Sequence, residues 1–410
     1  MKKLFRAYLN TFSGLSREVW WLALITLVNR TGAMVIPFLS LYLREDLEFS
    51  ISSVGWVMTC FGLGSFFGSW LGGKLTDIIG YYKVILYSLL ISSVCFIAVQ
   101  FVSSFVGICI SFFVLISIMD ASRPAFFVAL SAYSKPENKT RSLTLIRLAI
   151  NLGFSAGPAL GGIIIASIGY AGLFWADALT CAAAGILMIR VLNPKRVKET
   201  DKEVLVENPL SPFSDKVYVL FLLVLVLFGV IFLQYISTMP LYYSEVHLLK
   251  ESQIGLLLAL NGFMIFVFEM PLINFLEKRG ISALNNVILG LLLVGGSFLL
   301  YEITPMVGIL VLGMIVATLG EMIAFPFGNA FALSRSKLGR QGAYMGLYSM
   351  SFSMAHIFGH NGGMQLVSLI GYENTWLCMF GLTLVAFALL MYVRLCVKRK
   401  QIKDQVVLAE

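Results

Sequence analysis

Charge in this 410-residue chain is gathered into short clusters, and between them lie about twelve apolar runs, each close to the ~20 residues that cross a bilayer core. The runs fall near 19–43, 51–73, 84–103, 106–132, 142–168, 170–192, 218–243, 253–275, 284–302, 306–333, 342–370 and 373–395. Soluble domains carry about a quarter charged residues. This chain has 13%, against 59% hydrophobic, so the fold class is an all-α polytopic membrane protein of about twelve transmembrane helices. The first run follows Arg17 and Glu18, is too long for a signal-peptide core and has no clean cleavage site, so it is a retained span. Cysteines at 60, 95, 109, 181, 378 and 396 form no close C-x-x-C pair, which points to neither a disulfide framework nor a metal site.

The connections alternate in charge. One set holds Lys74 and Lys83; Lys135, Lys139 and Arg141; Lys195, Arg196, Lys198, Lys202 and Lys216; Lys278 and Arg279; and Arg335, Lys337 and Arg340. Lys2, Lys3, Arg6 and Arg17 at one end and Arg394, Lys398, Arg399, Lys400 and Lys403 at the other belong with it. The other set holds almost only Arg44 and Lys250 among acids such as Glu45, Asp46 and Glu245. By the positive-inside rule the basic loops and both termini are cytoplasmic, in a multi-pass protein of the plasma (inner) membrane. The net charge of +8 therefore reports topology, and no nucleic-acid partner is expected.

The longest connection, 193–217, is polar and carries Pro194, Pro209 and Pro212, which marks it as a cytoplasmic linker between a bundle at 1–192 and another at 218–410. A repeat supports the division. At an offset of 200 positions Leu41-Tyr42 meets Leu241-Tyr242, Gly55 meets Gly255, Gly62 meets Gly262, and Asp77 and Gly80 meet Glu277 and Gly280. At 202, Pro124 meets Pro326, and Gly157 and Gly161 meet Gly359 and Gly363. Two homologous six-helix halves account for both registers.

Between the second and third runs lies Gly73-Lys74-Leu75-Thr76-Asp77-Ile78-Ile79-Gly80-Tyr81-Tyr82-Lys83. An acid at a helix end can accept hydrogen bonds from a neighbouring helix N-terminus and pair with basic side chains, latching one conformation; the alternative is a solvated turn. The stretch resembles the cytoplasmic loop signature of the major facilitator superfamily, with Ile78 and Tyr81 where basic residues are usual, and Glu277-Lys278-Arg279-Gly280 is a second copy. In the fifth run, Gly153, Gly157 and Gly161 repeat every four residues beside Pro158, a spacing that lets helices approach closely and bend. This pattern resembles the fifth-helix motif of the superfamily's antiporter branch, and packing alone is the other use of such a stripe. Arg147 and Asn151 lie one turn apart on a separate, polar side. The matching helix of the second half carries Ser349, Ser353, His356 and His360 in one stripe, either a proton or substrate path or polar packing.

Charges inside the runs are Arg30, Asp120, Arg123, Arg147, Asp177, Glu269 and Glu321. Each unpaired Asp or Arg costs at least ~2.5 kcal/mol on insertion, so a cavity and pairing are expected. Asp120 and Arg123, at i,i+3, can pair; Asp177 is expected to be structural. Glu269 and Glu321 have no basic residue within a turn, and a carboxyl so placed tends to take up a proton. The superfamily resemblance implies that the first, fourth, seventh and tenth helices line a central cavity. Asn29, Arg30, Asp120, Arg123, Gln234, Tyr235, Glu321 and Asn329 then become candidate lining residues, with Arg147 and Asn151 beside them. Candidate proton carriers are Asp120, Glu321, Glu269 and His356.

No phosphate-cradling loop, metal cluster or nucleophile–base spacing suggests an enzyme. The expectation is a secondary carrier working as a monomer on a small-molecule substrate, with no cofactor and a proton gradient as the driving force. The glycine–proline pattern and a lining drawn from Met264, Phe268, Phe325 and Tyr348 favour export of amphipathic compounds, cationic ones among them. The first helix, from Asn29-Arg30-Thr31 to Leu41-Tyr42-Leu43, partly resembles the proton-coupled oligopeptide transporters, so uptake of peptides or another polar solute is the alternative.

Overall fold

The computed structural model describes residues 14–135, 139–194, 210–303, 306–339 and 341–407. Most of the expected linker, together with Lys2, Lys3, Arg6 and Arg340, lies outside them. The first crossing is made of α1 (Arg17–Thr31) and α2 (Val35–Leu41), followed by a π-helical turn at Tyr42–Asp46. The next five are α3 (Ile51–Ile79), α4 (Tyr81–Val99), α5 (Phe105–Tyr133), α6 (Lys139–Ile168) and α7 (Ala171–Val191). Then come α8 (Lys216–Glu245), α9 (Glu251–Lys278), α10 (Ala283–Leu300) and α11 (Val307–Ser336). A final helix, Gln341–Val407, is broken at Gly371 into α12 (341–370) and α13 (372–407). Among the described residues, that division turns the eleven apolar stretches long enough to span a membrane into the twelve expected crossings.

Serine side chains set several of the starts. Ser16, Ser50, Ser104 and Ser282 each accept a hydrogen bond from a backbone N–H three residues on, satisfying a donor the helix itself cannot. The connection expected at 74–83 is a correction to the sequence reading. α3 continues to Ile79, and a single residue, Gly80 at φ 83°, separates it from α4. Lys74, Thr76 and Asp77 are polar because the helix outruns its apolar stretch, and the reversal falls on Gly80, which has no Cβ to oppose a positive φ.

Backbone irregularities repeat with the sequence. Glu48 and Leu248, the non-glycine residues at positive φ among those described (55° and 53°), stand 200 positions apart. The bond from Phe49 N to Leu43 O (2.9 Å) recurs from Leu249 N to Tyr243 O (3.0 Å). Gly80 pairs in the same way with Gly280 (φ 65°), and Gly169 with Gly371 (both 78°) at the offset of 202. A left-handed non-glycine residue costs about 1–2 kcal/mol. Its recurrence at equivalent positions marks two copies of one backbone plan.

Two compact units result, Met1–Asp201 with Tyr243–Phe266, and Lys202–Tyr242 with Val267–Glu410. The boundary thus differs from an expected break confined to 193–217, because the start of α9 belongs with the first unit. Within that unit α3 lies against α5, with Gly64, Gly68 and Gly72 facing the backbone of Phe113, Ser117 and Ala121. Val19, Leu22, Ile25, Ile85, Tyr133 and Met188 fill its core. In the second unit Gly290 and Gly320 bring α10 against α11. The N-terminus of α8 there is fixed by Asp215, which accepts from Tyr218 N (3.2 Å) and from Arg335 Nε (3.0 Å) on α11.

Candidate functional site

Four helices of the first unit bring their polar side chains together. Asp120 and Arg123 on α5 form an ion pair, Oδ1 to Nε 2.8 Å. The other Asp120 oxygen accepts a hydrogen bond from Ser65 Oγ on α3. Asp120 is buried, while the Arg123 side chain is 50% exposed, so the pair has one dry and one open member. Arg30 stands in the last turn of α1. Its guanidinium lies over the Phe154 ring of α6, 5.4 Å from the centroid, a cation–π contact. Among the described residues that guanidinium donates to no protein acceptor. Asn29, one residue back, reaches Cys181 Sγ on α7 at 3.4 Å.

The glycine stripe of α6 makes this convergence possible. A Cβ on Gly153 would come within 2.9 Å of the Arg30 carbonyl carbon; Gly157 faces Thr31 and Ala33, and Gly161 faces Met34 and Phe38. The opposite flank of α6 meets α9. Gly162 abuts Glu251 and Ser252, the Pro158 carbonyl abuts Gly255, and Ser155 abuts Gly262 and donates to Ala259 O at 3.2 Å. Small residues thus press α6 between two helices. Arg147 and Asn151 are half-buried on α6, each engaged by a neighbour.

Asp177 has the structural role expected of it. Buried to 1% exposure, its carboxylate accepts from Met34 N (2.9 Å) and Val35 N (3.2 Å), the first donors of α2. The first span breaks at Gly32–Met34 because a carboxylate on α7 holds the second piece in place. Farther along, Arg44 Nε pairs with Glu245 Oε1 at 2.8 Å, and Glu45 accepts from Tyr170 OH (2.6 Å) and from Ser244. Burial, then the Glu45 carboxylate, push the Tyr170 hydroxyl well above the ordinary phenol range.

Several candidates in the second unit are placed differently from the cavity reading. Gln234 is fully buried, donating to Val230 O and Gly359 O (both 2.8 Å) and accepting from Thr238, so it joins α8 to α12. Tyr235 is also buried, hydrogen-bonded to Ser297 Oγ (2.6 Å) and packed on Phe298, so it faces the α10 core. Both corrections have one cause: helix order assigns a helix to a cavity but not the face that looks into it. Asn329 is exposed, Glu269 is buried and Glu321 half-buried, and both glutamates interact with a neighbour. His356 Nδ1 and His360 Nε2 are 3.0 Å apart, so the histidine stripe is a bonded pair, while Ser353 is half-buried and Ser349 exposed. Phe228, Phe232, Phe325, Phe352 and Tyr348 form an aromatic cluster from α8, α11 and α12. Phe325 and Tyr348 of the expected lining enter it; Met264, in the first unit, and half-exposed Phe268 do not.

The loop carboxylates also differ from expectation. The Asp77 and Glu277 side chains are exposed, and their carboxylates form no hydrogen bond or ion pair among the described residues, so the expected latch is not engaged. Gly73 has open space where a Cβ would be. Sequence reasoning missed Ser65, Phe154 and the Asp215–Arg335 pair. Ser65 and Phe154 have no signal of their own in apolar runs, whereas Asp215 was detectable as a lone acid at a helix start.

Twelve crossings in duplicated halves, with a buried ion pair and a second arginine at a broken first span, define a membrane carrier. A family profile for the Major Facilitator Superfamily matches residues 22–360, and the chain belongs to that superfamily. It is therefore a transporter and not an enzyme. The MFS-type transporter YttB of Bacillus subtilis (strain 168) is 24% identical over 370 residues, 88% of this chain and 91% of YttB. A multi-drug resistance efflux pump PmrA homolog of Lactococcus lactis subsp. lactis (strain IL1403) is 26% identical over 148 residues, 35% of this chain and 36% of that one. In fold, the chain resembles a POT family transporter solved with 5-aminolevulinic acid, with TM-score 0.77 and 14% identity over 94% of this chain and 96% of the other.

Proposed function

We propose that this protein is a proton-coupled exporter of small amphipathic compounds that works by alternating access, as a monomer, in the plasma membrane with both termini cytoplasmic. The observation that carries the reading is the Asp120–Arg123 pair with Ser65, a buried carboxylate beside an arginine that is open to ligand. Protonation of Asp120 would cancel its charge and release Arg123, so one proton changes the electrostatics of the cluster. Glu321, Glu269 and His356 are further carriers in the second unit. The small-residue contact of α6 with α9 supplies a dry seal that parts without dragging side chains, which suits a carrier that opens and closes. Export is favoured by the glycine–proline pattern and by the name of the PmrA homolog.

Uptake of peptides or another polar solute is the second reading, favoured by the first-helix likeness around Asn29-Arg30-Thr31. Proteoliposomes under an imposed pH gradient separate the two: extrusion of an amphipathic dye is expected, and gradient-driven dipeptide uptake without dye movement would overturn export. Asp120→Asn is expected to abolish the dependence on the gradient. Unchanged coupling in Asp120→Asn would remove this residue from the mechanism, and Glu321→Gln would become the variant to measure.

A further inference from the structure

We propose that the crevice between the start of α1 and the end of α7 seats an anionic phospholipid, with its phosphate between Arg17 and Arg190 and an acyl chain along the groove beneath them. Arg17 opens α1 and Arg190 closes α7, and the two line one cavity of about 330 Å³ with Glu18, Trp21, Val191 and Asn193. Both arginines are exposed, and neither forms an ion pair among the described residues. Glu18, the acid in the wall, is half-buried and pairs with neither, so the wall carries surplus positive charge even with that carboxylate ionised. The Arg17 guanidinium lies 6.0 Å from the centroid of the Trp21 ring, an indole that backs it at the crevice.

Below the arginines the outer helix faces are apolar and uncovered. On α1, Trp21 and Leu24 follow Arg17 at spacings of four and three; on α7, Ile186, Ala183 and Leu179 precede Arg190 at spacings of four, three and four. Each helix therefore carries one stripe that descends from a charged head, and Leu24, Ile186 and Leu179 on these stripes are exposed. Val19, Leu22 and Met188 on the inner faces close the floor between them. The helices stay side by side as far as Asn29 and Cys181, about 18 Å from Arg17 at 1.5 Å per residue, close to the depth of one leaflet. Trp20 and Trp21 set the mouth at headgroup level, which in the orientation proposed above is that of the cytoplasmic leaflet. Charge complementarity selects the occupant. A zwitterionic headgroup brings an ammonium to a wall already in positive surplus, whereas a phosphodiester of an uncharged alcohol brings only the anion that the guanidiniums lack. A soluble phosphate would satisfy the arginines and leave both apolar stripes bare.

The test uses the full-length protein purified in a zwitterionic detergent and titrated with phosphatidylglycerol, phosphatidylcholine of the same chains, or soluble glycerol 3-phosphate. Native mass spectrometry counts bound lipid, and the melting midpoint is followed in parallel. Phosphatidylglycerol is expected to bind at least about tenfold more tightly than phosphatidylcholine and to raise the midpoint, with about fivefold from each arginine at about 1 kcal/mol per basic residue. Arg17→Gln and Arg190→Gln are each expected to lose about fivefold. The double variant is expected to bind the two lipids alike, and an unchanged midpoint in lipid-free detergent reports that it is folded. Lys195→Gln with Arg196→Gln, which removes basic charge close in sequence but neither lining arginine, is expected to keep the preference. Equal affinity for the two lipids in the parent, an intact preference in the double arginine variant, or loss of the preference in the Lys195 and Arg196 variant would overturn the proposal. Displacement of phosphatidylglycerol by glycerol 3-phosphate at comparable concentration would show a soluble-anion site and overturn it as well.

Discussion

Replacing Gly153 by alanine puts a methyl group where α6 meets the backbone of α1. The new Cβ would lie 2.9 Å from the Arg30 carbonyl carbon and 3.0 Å from Thr31 N. Contacts of this kind settle near about 3.5–4.0 Å, so the helices must part by roughly 0.5–1 Å. Both neighbours are backbone atoms, and no rotamer change relieves the overlap. Overpacking costs about 1–3 kcal/mol, against which alanine recovers about 1 kcal/mol of helix propensity. Two other positions serve as internal references. Gly157→Ala meets nothing nearer than 3.3 Å, and Gly73→Ala nothing within 4 Å, so both keep most of the propensity gain. Gly153→Ala should therefore be less stable than Gly73→Ala by about 1–3 kcal/mol in denaturant-induced unfolding of the purified protein, with Gly157→Ala between them. Equal stability of the Gly153 and Gly73 variants would refute the close-approach reasoning.

Asp177→Ala leaves the buried Val35 N–H without an acceptor and Met34 N–H with only the Gly32 carbonyl (2.8 Å), an expected loss of about 1–3 kcal/mol, and a thermal midpoint within error of the parent would show that α2 needs no cap. Arg335→Gln breaks a pair whose members are 14% and 3% exposed, an expected loss of about 3–5 kcal/mol by the same unfolding assay. Burial, then the charge of Glu373, raise the carboxyl of Glu302 above its usual range, so the folded chain holds that proton more tightly than the unfolded chain. The stability from this group is full below the ordinary carboxylate range and is lost as pH rises through the raised value. Glu302→Gln is accordingly expected to raise the melting midpoint at neutral pH and to lose that advantage in acid; an advantage that grows on acidification would contradict the assignment.

What the chain disclosed of its fold followed from one-dimensional quantities. Run length fixes the crossings, and the repeat of Gly55, Gly62 and Gly80 fixes the duplication, which Glu48 and Leu248 then express in backbone angles. Faces were harder to read. The spacing of Gly153, Gly157 and Gly161 marks a contact stripe but carries no record of its partner, which is the first span. Gln234 and Tyr235 were assigned to a cavity through helix order, yet their donors and rings are consumed by α12 and α10. The Asp120–Arg123 pair was legible because both members sit on one helix. Ser65, which completes it, is one serine in an apolar run, and only the α3–α5 approach gives it meaning.

The interruption at Gly32–Met34 makes the first crossing a jointed rod. α1 and α2 are separate segments, and the second is pinned by Asp177 of another helix. Arg30 stands on the first segment, one residue short of that segment's end. A load borne there acts close to the fulcrum, where a small displacement swings the arm through a wide arc. A continuous helix would instead transmit the same pull along its axis and tilt as one body.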